Sequence, residues 1–465
     1  MHGSLEVRCR AAVLVIAFAV LACRTGAQSD APQMAVQLVQ PAGPDQPVAP
    51  VTVTLQDAIA RARKIDTQYL SSIGDAKNAQ EDRLQTRNTM LPSASATSQY
   101  LGTEGNGKIP GGRFVTNDGV HVYRAWGVFR QDLSPDTYLG TSYHRAKAAE
   151  ALAQEKAEIA QRGLTVTVTK NYYGLTAAQR KYTAAQQALD QAKHFLEITQ
   201  ESERGGQTAH SDVVKAQIQA EQQQQTFDEA GLAMEDARLS LAVLLFPTLN
   251  ENFSVVDDLG TAVSLPGFAD IQGMAAKQNP FLRAAMETLQ EADQDVAAAK
   301  GAFLPSFSVE MDYGIEANHF ALRSVVSADP MKGPVPNLGY FVTAGVTVPV
   351  WDWGTLRSKL HQAETNREQA QVELSQSQRE ILANLYEAYN EASVAREAVE
   401  SARRASELGS ESLRLVNLRY QAGESTALEV VDAQNTATQT NIAFADTQVR
   451  YRVALASLQM FTGSF

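Results

Sequence analysis

The side chains that could perform chemistry are few and widely separated in this chain. The two cysteines, Cys9 and Cys23, both lie near the N-terminus, and no nucleophile elbow, phosphate-binding loop or dinucleotide fingerprint occurs. Glu429 and Asp432 lie three residues apart, which on a helix places both carboxylates on one face. The seven histidines show no metal-ligand spacing: His2, His121, His144, His194, His210, His319 and His361. The sequence therefore predicts no enzyme, no cofactor and no metal site, and the two carboxylates alone are typical of a solvated helix surface.

Two proline-free windows contain the helices that must carry this pair. None of the sixteen prolines lies in 136–246 or in 350–465, and both windows are rich in the strong helix formers Ala, Gln, Glu, Leu and Arg. A glycine break lies near the middle of each window, at Gly205-Gly206 and at Gly423. Each window therefore predicts two long antiparallel helices joined by a tight turn. Their small, sparse apolar residues favour coiled-coil packing.

The rest of the chain predicts shorter helices and strands. Helices are expected from Leu55 to Met90 and from Ile271 to Ala302, each followed by Leu-Pro and a change to a period of two. Each half then offers two strands around a long loop, and so one β-hairpin. The predicted strands cover about 93–101, 122–133, 306–313 and 340–351. The chain is therefore expected to be mainly α-helical with four β-strands.

The two halves repeat each other. Residues 206–217 align without a gap on residues 423–434, and Leu91-Pro92 matches Leu304-Pro305. A period of this length indicates a duplicated structural unit rather than a solenoid. We expect a first repeat over 53–260 and a second over 261–465.

Four strands leave a difficulty that one chain cannot solve. An open sheet has two unpaired edges, and in a bilayer the backbone is satisfied by a closed barrel, with about eight strands in the smallest common examples. Several chains can share a barrel, and three copies of four strands would give twelve. The alternative is a sheet packed on a helix of the same chain.

The N-terminus is typical of export. Residues 1–22, or 1–27 if cleavage follows Ala27, are expected to be a signal peptide, and Cys23 is a candidate for lipidation in the first case. Residues 23–52 are Pro-rich and are expected to form an extended arm. Since both cysteines lie in the leader region, no disulfide is expected in the rest of the chain. The net charge of −12, without a basic run, argues against nucleic acid as a partner.

The order of these segments resembles the TolC-like outer-membrane efflux protein family, the outer membrane factors. The similarity rests on Asn279-Pro280, on the strand exit 349–354 (Pro-Val-Trp-Asp-Trp-Gly) and on the tip sequence 419–423 (Arg-Tyr-Gln-Ala-Gly). The first half departs from the pattern, with Asp66-Thr67 in place of Asn-Pro. The resemblance implies a homotrimer in the outer membrane of a Gram-negative bacterium. It would have a twelve-stranded β-barrel in outer-membrane lipid and a long α-helical barrel in the periplasm.

The resemblance also implies partners and site residues. A periplasmic adaptor protein and an inner-membrane transporter would dock at the helix turns Gly206 and Gly423, and the channel would conduct passively. Glu429 and Asp432 would form an acidic ring at the pore constriction, attracting cations and repelling anions. Asp212 and Tyr420 would form the closed-state latch through a hydrogen bond, without the family's salt bridge because Ser425 replaces the usual basic residue.

Three functions follow from these expectations. An outer-membrane channel of a tripartite efflux system is favoured, because efflux is the commoner role in the family. A conduit for type I protein secretion is the alternative within the same class. A structural periplasmic coiled-coil protein would explain the helices and leave the strands unused.

Overall fold

The computed structural model describes residues 51–102, 121–206, 208–248, 252–261, 263–317, 320–323 and 336–463. The expected signal peptide, Cys23, almost all of the Pro-rich arm and most of both long strand loops lie outside these ranges. None of the helices in the described ranges has the length and the apolar composition needed to cross a membrane.

Nine helices occur in the described residues, and four of them are the long helices expected from the proline-free windows. One hairpin consists of α4 (Thr141–Arg204) and α5 (His210–Leu245), and the other consists of α8 (Thr355–Gln421) and α9 (Ala427–Thr462), which confirms that prediction. At ~1.5 Å per residue, the 64-residue α4 and the 67-residue α8 are each roughly 100 Å long. The helices are α1 (Leu55–Ala62), α2 (Thr67–Thr89), α3 (Pro135–Leu139), α4 (Thr141–Arg204), α5 (His210–Leu245), α6 (Phe268–Gln278), α7 (Pro280–Gly301), α8 (Thr355–Gln421) and α9 (Ala427–Thr462).

The two shorter helical segments are each interrupted, so the expectation of continuous helices there was wrong. In the first half the chain breaks before Asp66, whose Oδ1 accepts a hydrogen bond from Tyr69 N at 2.7 Å and caps α2. In the second half the break falls at Asn279, which is 1% exposed and caps α7. Pro280 follows it and has no N–H to continue the preceding helix.

The four expected strands form one antiparallel sheet, in the order β2 (Ser93–Gly102), β3 (His121–Leu133), β5 (Ser306–Ala317) and β6 (Leu338–Thr347). Two short strands, β1 and β4, were not predicted and pair in parallel elsewhere. β6 ends before Pro349, so the predicted extension through Trp351 was wrong; proline cannot donate to a ladder. The strands are β1 (Val51–Val53), β2 (Ser93–Gly102), β3 (His121–Leu133), β4 (Phe253–Val255), β5 (Ser306–Ala317) and β6 (Leu338–Thr347).

The two faces of the sheet differ as the alternating pattern predicts. Tyr313 and Met311 of β5 are 51% and 43% exposed on the apolar face, whereas Asp312 between them is 4% exposed. The apolar face continues across the register, because Met311 lies opposite Phe129 on one side and Val342 on the other. One side of this sheet is therefore apolar and uncovered within the chain.

The opposite face carries paired charges. Arg124 donates to Glu316 at 2.8 Å and to Gln99 at 3.2 Å, and so links β2, β3 and β5. Arg130 donates to Asp132 at 3.0 Å on the same strand. The polar face is thus connected across strands by side chains as well as by the backbone ladder.

The longer helices form a single layer that continues from the sheet. Beside the strands the neighbouring helices are α2, α4, α7 and α8 in that order, and farther away they are α5, α4, α9 and α8. In both parts of this layer, α4 has a neighbouring helix on each side, whereas α8 is the outermost helix on one side.

Midway along the layer, the β1–β4 pair packs on α1, α4 and α5. Tyr172 of α4 is almost fully buried there. Its hydroxyl donates to Val256 O at 2.8 Å and accepts from Val256 N at 3.0 Å. Burial raises the pKa of Tyr172 to about 12, so the hydroxyl stays protonated and able to donate at neutral pH. This contact fastens the segment between α5 and α6 to the long helix.

Candidate functional site

The end of the helical layer farthest from the sheet is formed by two turns. Gly206 follows α4 with φ +72°, and Gly423 follows α8 with φ +76°. After α8 the backbone forms a Schellman motif, in which Gly423 N donates to Tyr420 O at 3.0 Å and Glu424 N donates to Arg419 O at 2.8 Å. A Cβ at either glycine would meet nothing within 4 Å. Backbone conformation rather than space therefore requires glycine at both turns.

The helices that leave the two turns begin differently. Thr426 caps α9, its Oγ1 accepting from Glu429 N at 3.3 Å. Ala209, the residue before α5, has no side chain that can cap the helix. The first turn is closed instead by a 2.8 Å hydrogen bond between His210 Nδ1 and Glu203 Oε1. The two repeats thus share the glycine geometry and differ in how the turn is held.

The predicted carboxylate pair lies on the first turns of α9. Glu429 and Asp432 both point away from the buried residues Ala427, Val430 and Ala433. Glu429 accepts from Ser425 Oγ at 2.6 Å, and within the described chain the Asp432 carboxylate has no hydrogen-bond or ion-pair partner. The structure therefore places two negative charges near the second turn, on the side of α9 that the chain leaves uncovered.

Arg419 adds a positive charge that sequence reasoning did not consider. Its Nη2 donates to Glu424 O at 3.0 Å, and its Nη1 lies 3.9 Å from Glu429 Oε2. Ser425 and Arg419 therefore both approach the same carboxylate. The motif 419–423 contained Arg419, but its spacing of ten residues from Glu429 gives no signal until the turn is folded.

The two latch residues are not joined within one chain. Asp212 accepts from Lys215 Nζ at 3.3 Å, on its own helix. The ring of Tyr420 packs against Phe195 of α4, with 5.1 Å between centroids. In the part of the chain that the structure describes, no hydrogen bond reaches the Tyr420 hydroxyl, so the bond to Asp212 between neighbouring hairpins stays a prediction.

Buried amides beside the tip were missed in the sequence. Gln219 and Gln223, only 3% and 8% exposed, donate from Nε2 to Asn435 Oδ1 at 2.9 and 3.3 Å. These two hydrogen bonds fix the position of α5 along the helix axis relative to α9. The sequence did contain a signal: both glutamines lie three residues after a buried alanine, Ala216 or Ala220, on the same face of the helix.

Comparison with known proteins supports this architecture. A model of the family described as "Outer membrane efflux protein" matches residues 139–245 and 272–464, which is more than half of the chain. The outer membrane protein OprJ of Pseudomonas aeruginosa is 22% identical over 66% of this chain and 62% of its own length. The pyoverdine export outer membrane protein OpmQ of Pseudomonas putida is 24% identical over 58% and 55%. The matched part is thus less than two thirds of the length of either relative.

Solved structures share the fold along most of the chain. The Campylobacter jejuni CmeC outer membrane channel aligns with a TM-score of 0.72 at 18% identity, covering 88% of this chain and 85% of that one. The open state of the Neisseria gonorrhoeae MtrE outer membrane channel aligns with a TM-score of 0.71 at 21% identity, covering 88% and 89%. The predicted fold class, a long helical barrel element with a membrane β-barrel element, is confirmed at the level of one chain. The chain therefore belongs to the outer membrane efflux protein family, and it is a protein of the outer membrane.

Proposed function

We propose that this protein is the outer-membrane channel of a tripartite efflux system, acting as a homotrimer. It conducts substrates passively and catalyses no reaction. An inner-membrane pump and a periplasmic adaptor protein deliver those substrates to the turns at Gly206 and Gly423. The energy comes from the pump, and the channel supplies a continuous path to the exterior.

The observation that carries this proposal is that the sheet and the helical layer are open at the same two sides. β2 and β6 are the free edges of the sheet, and the helical layer ends at α8 on one side and at α2 or α5 on the other. A rotation that pairs β6 of one copy with β2 of the next also brings α8 beside the next copy's α2 and α5. One symmetry operation therefore closes both parts, as closed ring assembly requires.

Exposed apolar side chains at the open sides agree with such closure. Leu232 of α5 is 66% exposed and Leu408 of α8 is 70% exposed in the single chain. Apolar surface of this extent on long helices is typical of an unfilled protein interface. The apolar face of the sheet is a separate surface, and outer-membrane lipid is its expected partner.

The tip suits the role of a gate. Three copies would bring Glu429 and Asp432 into a ring of six carboxylates around a narrow opening. A ring of one charge sign selects ions by that sign. We retain Glu429 and Asp432 as the pore constriction, and Asp212 with Tyr420 as the closed-state latch between neighbouring hairpins.

Small-molecule export fits the relatives better than protein secretion. OpmQ is named for pyoverdine export and BepC as an outer membrane efflux protein. A structural coiled coil would leave the apolar sheet face and both sheet edges without a role. Efflux therefore stays the favoured function.

The test is made on protein purified from outer membranes in a mild detergent. We expect a trimer by light scattering, ion conductance in planar bilayers, and capture of a periplasmic adaptor protein when the cells are cross-linked. A monomer that never conducts would overturn the proposal. A conducting trimer that captures a secretion-type adaptor and its exported protein would favour the type I alternative.

A further inference from the structure

We propose that neighbouring copies of this chain are joined, between the tip and the middle of the helical layer, by a seam of α8 against α5. At its centre Arg404 of one copy pairs with Asp228 and Glu229 of the next. This inference rests on the proposed ring of copies and specifies which residues meet in it.

The face of α5 that points away from α4 has a regular apolar stripe. Its members recur at intervals of four, seven and fourteen, as on the contact face of a coiled coil. All are at least 36% exposed within the chain, and they are Val214, Ile218, Leu232, Leu239 and Val243. Glu221 and Gln225 occupy the same face between Ile218 and Leu232. The stripe is apolar at both ends and polar in the middle.

The face of α8 that points away from α9 has the same arrangement, with apolar residues at both ends and a charged residue between them. The buried side of this helix packs on α9 through small residues, including Ala395 and Gly409. The opposite side carries exposed Leu408, Leu415 and Leu418 toward the tip and Val394 higher up. Arg404 lies on this opposite side, between Val394 and Leu408, and is exposed.

Contacts within the chain fix the relative heights of the three helices concerned. Ser406 of α8 is hydrogen-bonded to Asn441 of α9, and Asn435 of α9 accepts from Gln219 and Gln223 of α5. Since α8 runs antiparallel to α9 and α9 runs parallel to α5, each residue of α8 can be assigned its level on α5. Arg404 is level with residues 227–231 by this path.

A ring of identical copies preserves these levels. Rotation about an axis along the helices moves no residue up or down, so the level of Arg404 on α5 of its own chain is also its level on α5 of the neighbour. By the same contacts Leu415 is level with Ile218, and Val394 with Leu239. Apolar residues thus meet apolar residues on both sides of Arg404, which itself meets Asp228 and Glu229.

Within the described ranges the charges at this level form no ion pair with an opposite charge. The nearest case is Glu400, whose pKa is lowered by its hydrogen bond from Arg403 and, to a smaller extent, by the charge of Arg404. Arg403 is bonded to Glu400 and Glu407 of its own helix, whereas the adjacent Arg404 makes no ion pair or hydrogen bond within the described ranges. Asp228 and Glu229 accept only from the neutral amides of Gln224 and Gln225 there, at 3.1 and 2.9 Å.

Pairing between copies would therefore add an attraction that no chain has alone. Its place between apolar contacts would partly exclude water and strengthen it. Because a shift of one helical turn would separate the charges, the pair also fixes the register of the seam.

Cysteine pairs test the seam directly. Arg404→Cys combined with Glu229→Cys is expected to form disulfides between chains under mild oxidation, giving species of two and three chains on denaturing gels. Arg404→Cys with Val214→Cys is the matched control, because fifteen residues along α5 separate the two levels by about 22 Å. Each single variant controls for Cys23.

Charge reversal tests the pairing. Arg404→Glu is expected to lower the temperature at which the oligomer dissociates, and adding Asp228→Arg and Glu229→Arg should restore at least half of the loss. Arg414→Glu is the control, since Arg414 bonds Glu411 on its own helix at 2.7 Å. The seam is overturned, and the proposed channel stays intact, if the wild type is a trimer but the control cysteine pair cross-links as well as Arg404→Cys with Glu229→Cys. The same holds if the added Asp228→Arg and Glu229→Arg restore none of the stability lost in Arg404→Glu. A monomeric wild type overturns both.

Discussion

Phe195 and Tyr420 meet edge to face across the boundary between the two helical hairpins, with their planes inclined by 62°. Phe195 is buried on α4, and Tyr420 is half-buried, one residue before the end of α8. Ala216 and Val430, from the two helices that leave the tip turns, complete the cluster. The ring of Tyr420 therefore has a packing role within the chain that is separate from any role of its hydroxyl.

Tyr420→Phe separates these two roles. The variant keeps the ring against Phe195 and loses only the hydroxyl, so its stability should stay within about 0.5 kcal/mol of the wild type. If the hydroxyl bonds Asp212 of a neighbouring hairpin, its loss should shift the closed state toward opening by about two- to tenfold per latch. The leak conductance of the closed channel in planar bilayers measures this shift.

Asp212→Ala is the partner variant and should give a similar leak. Combining it with Tyr420→Phe should add little, because both remove the same bond. Closed-state conductance that is unchanged in both single variants would reject the latch. Tyr420→Ala serves as the contrast, since it also removes the aromatic contact and should lower the melting temperature.

Neutralising the acidic ring should change ion selectivity. Glu429→Gln with Asp432→Asn removes six charges from a trimer and should move the cation-to-anion permeability ratio toward one. Reversal potentials in a salt gradient measure this ratio. Glu407→Gln with Glu411→Gln, at two exposed positions of α8, removes the same number of charges and is the matched control. Selectivity equal to that of the wild type would place Glu429 and Asp432 outside the constriction.

The sequence predicted the fold well because its signals are local and repeated. Proline exclusion defined the two long hairpins, and the glycines at 206 and 423 located both turns. The interruption at Asp66 was missed because its cap forms only where the chain bends. The one at Asn279 was missed although Asn279-Pro280 is a local signal for the start of a helix.

The site was only partly predictable, for reasons of distance along the chain. Glu429 and Asp432 were found because both lie on one helix. Tyr420 and Phe195 are 225 residues apart, and Asn435 meets Gln219 across 216 residues. Such contacts depend on the relative heights of separate helices, which no local pattern encodes.

Gly314 should be irreplaceable in the sheet. A Cβ there would lie 2.0 Å from Ala125 O and 2.7 Å from Trp126 Cα, both backbone atoms of the adjacent strand. Because backbone cannot move aside cheaply, Gly314→Ala should cost about 1–3 kcal/mol or prevent assembly. Gly339→Ala, on β6, is the control, since a Cβ at Gly339 would meet nothing within 4 Å. Heat-induced dissociation on gels compares the two, and equal midpoints would contradict this account.

Glu155 should make the protein less stable as the pH rises. Burial between α4 and α7 raises the pKa of this carboxyl, and the ion pair with Arg283 at 3.3 Å offsets burial only in part. A raised pKa means that ionisation costs stability, and this cost appears as the pH climbs from the ordinary glutamate pKa through the raised one. Glu155→Gln should therefore gain melting temperature relative to the wild type at pH 7, and the gain should vanish in acid.

Glu391 gives the opposite sign and so tests the reasoning on the same molecule. Arg450 donates to both of its carboxylate oxygens, at 2.6 and 2.9 Å, and these bonds lower the pKa of Glu391. A lowered pKa contributes stability above the ordinary glutamate value, and that stability is lost as the pH falls through the lowered one. Glu391→Gln should thus melt below the wild type at pH 7 and converge with it in acid. Because Glu155→Gln should raise the melting temperature at neutral pH and Glu391→Gln should lower it, a general effect of removing negative charge cannot produce both results. Changes of the same sign in the two variants would show that burial and ion pairing do not control the pKa values of these two groups.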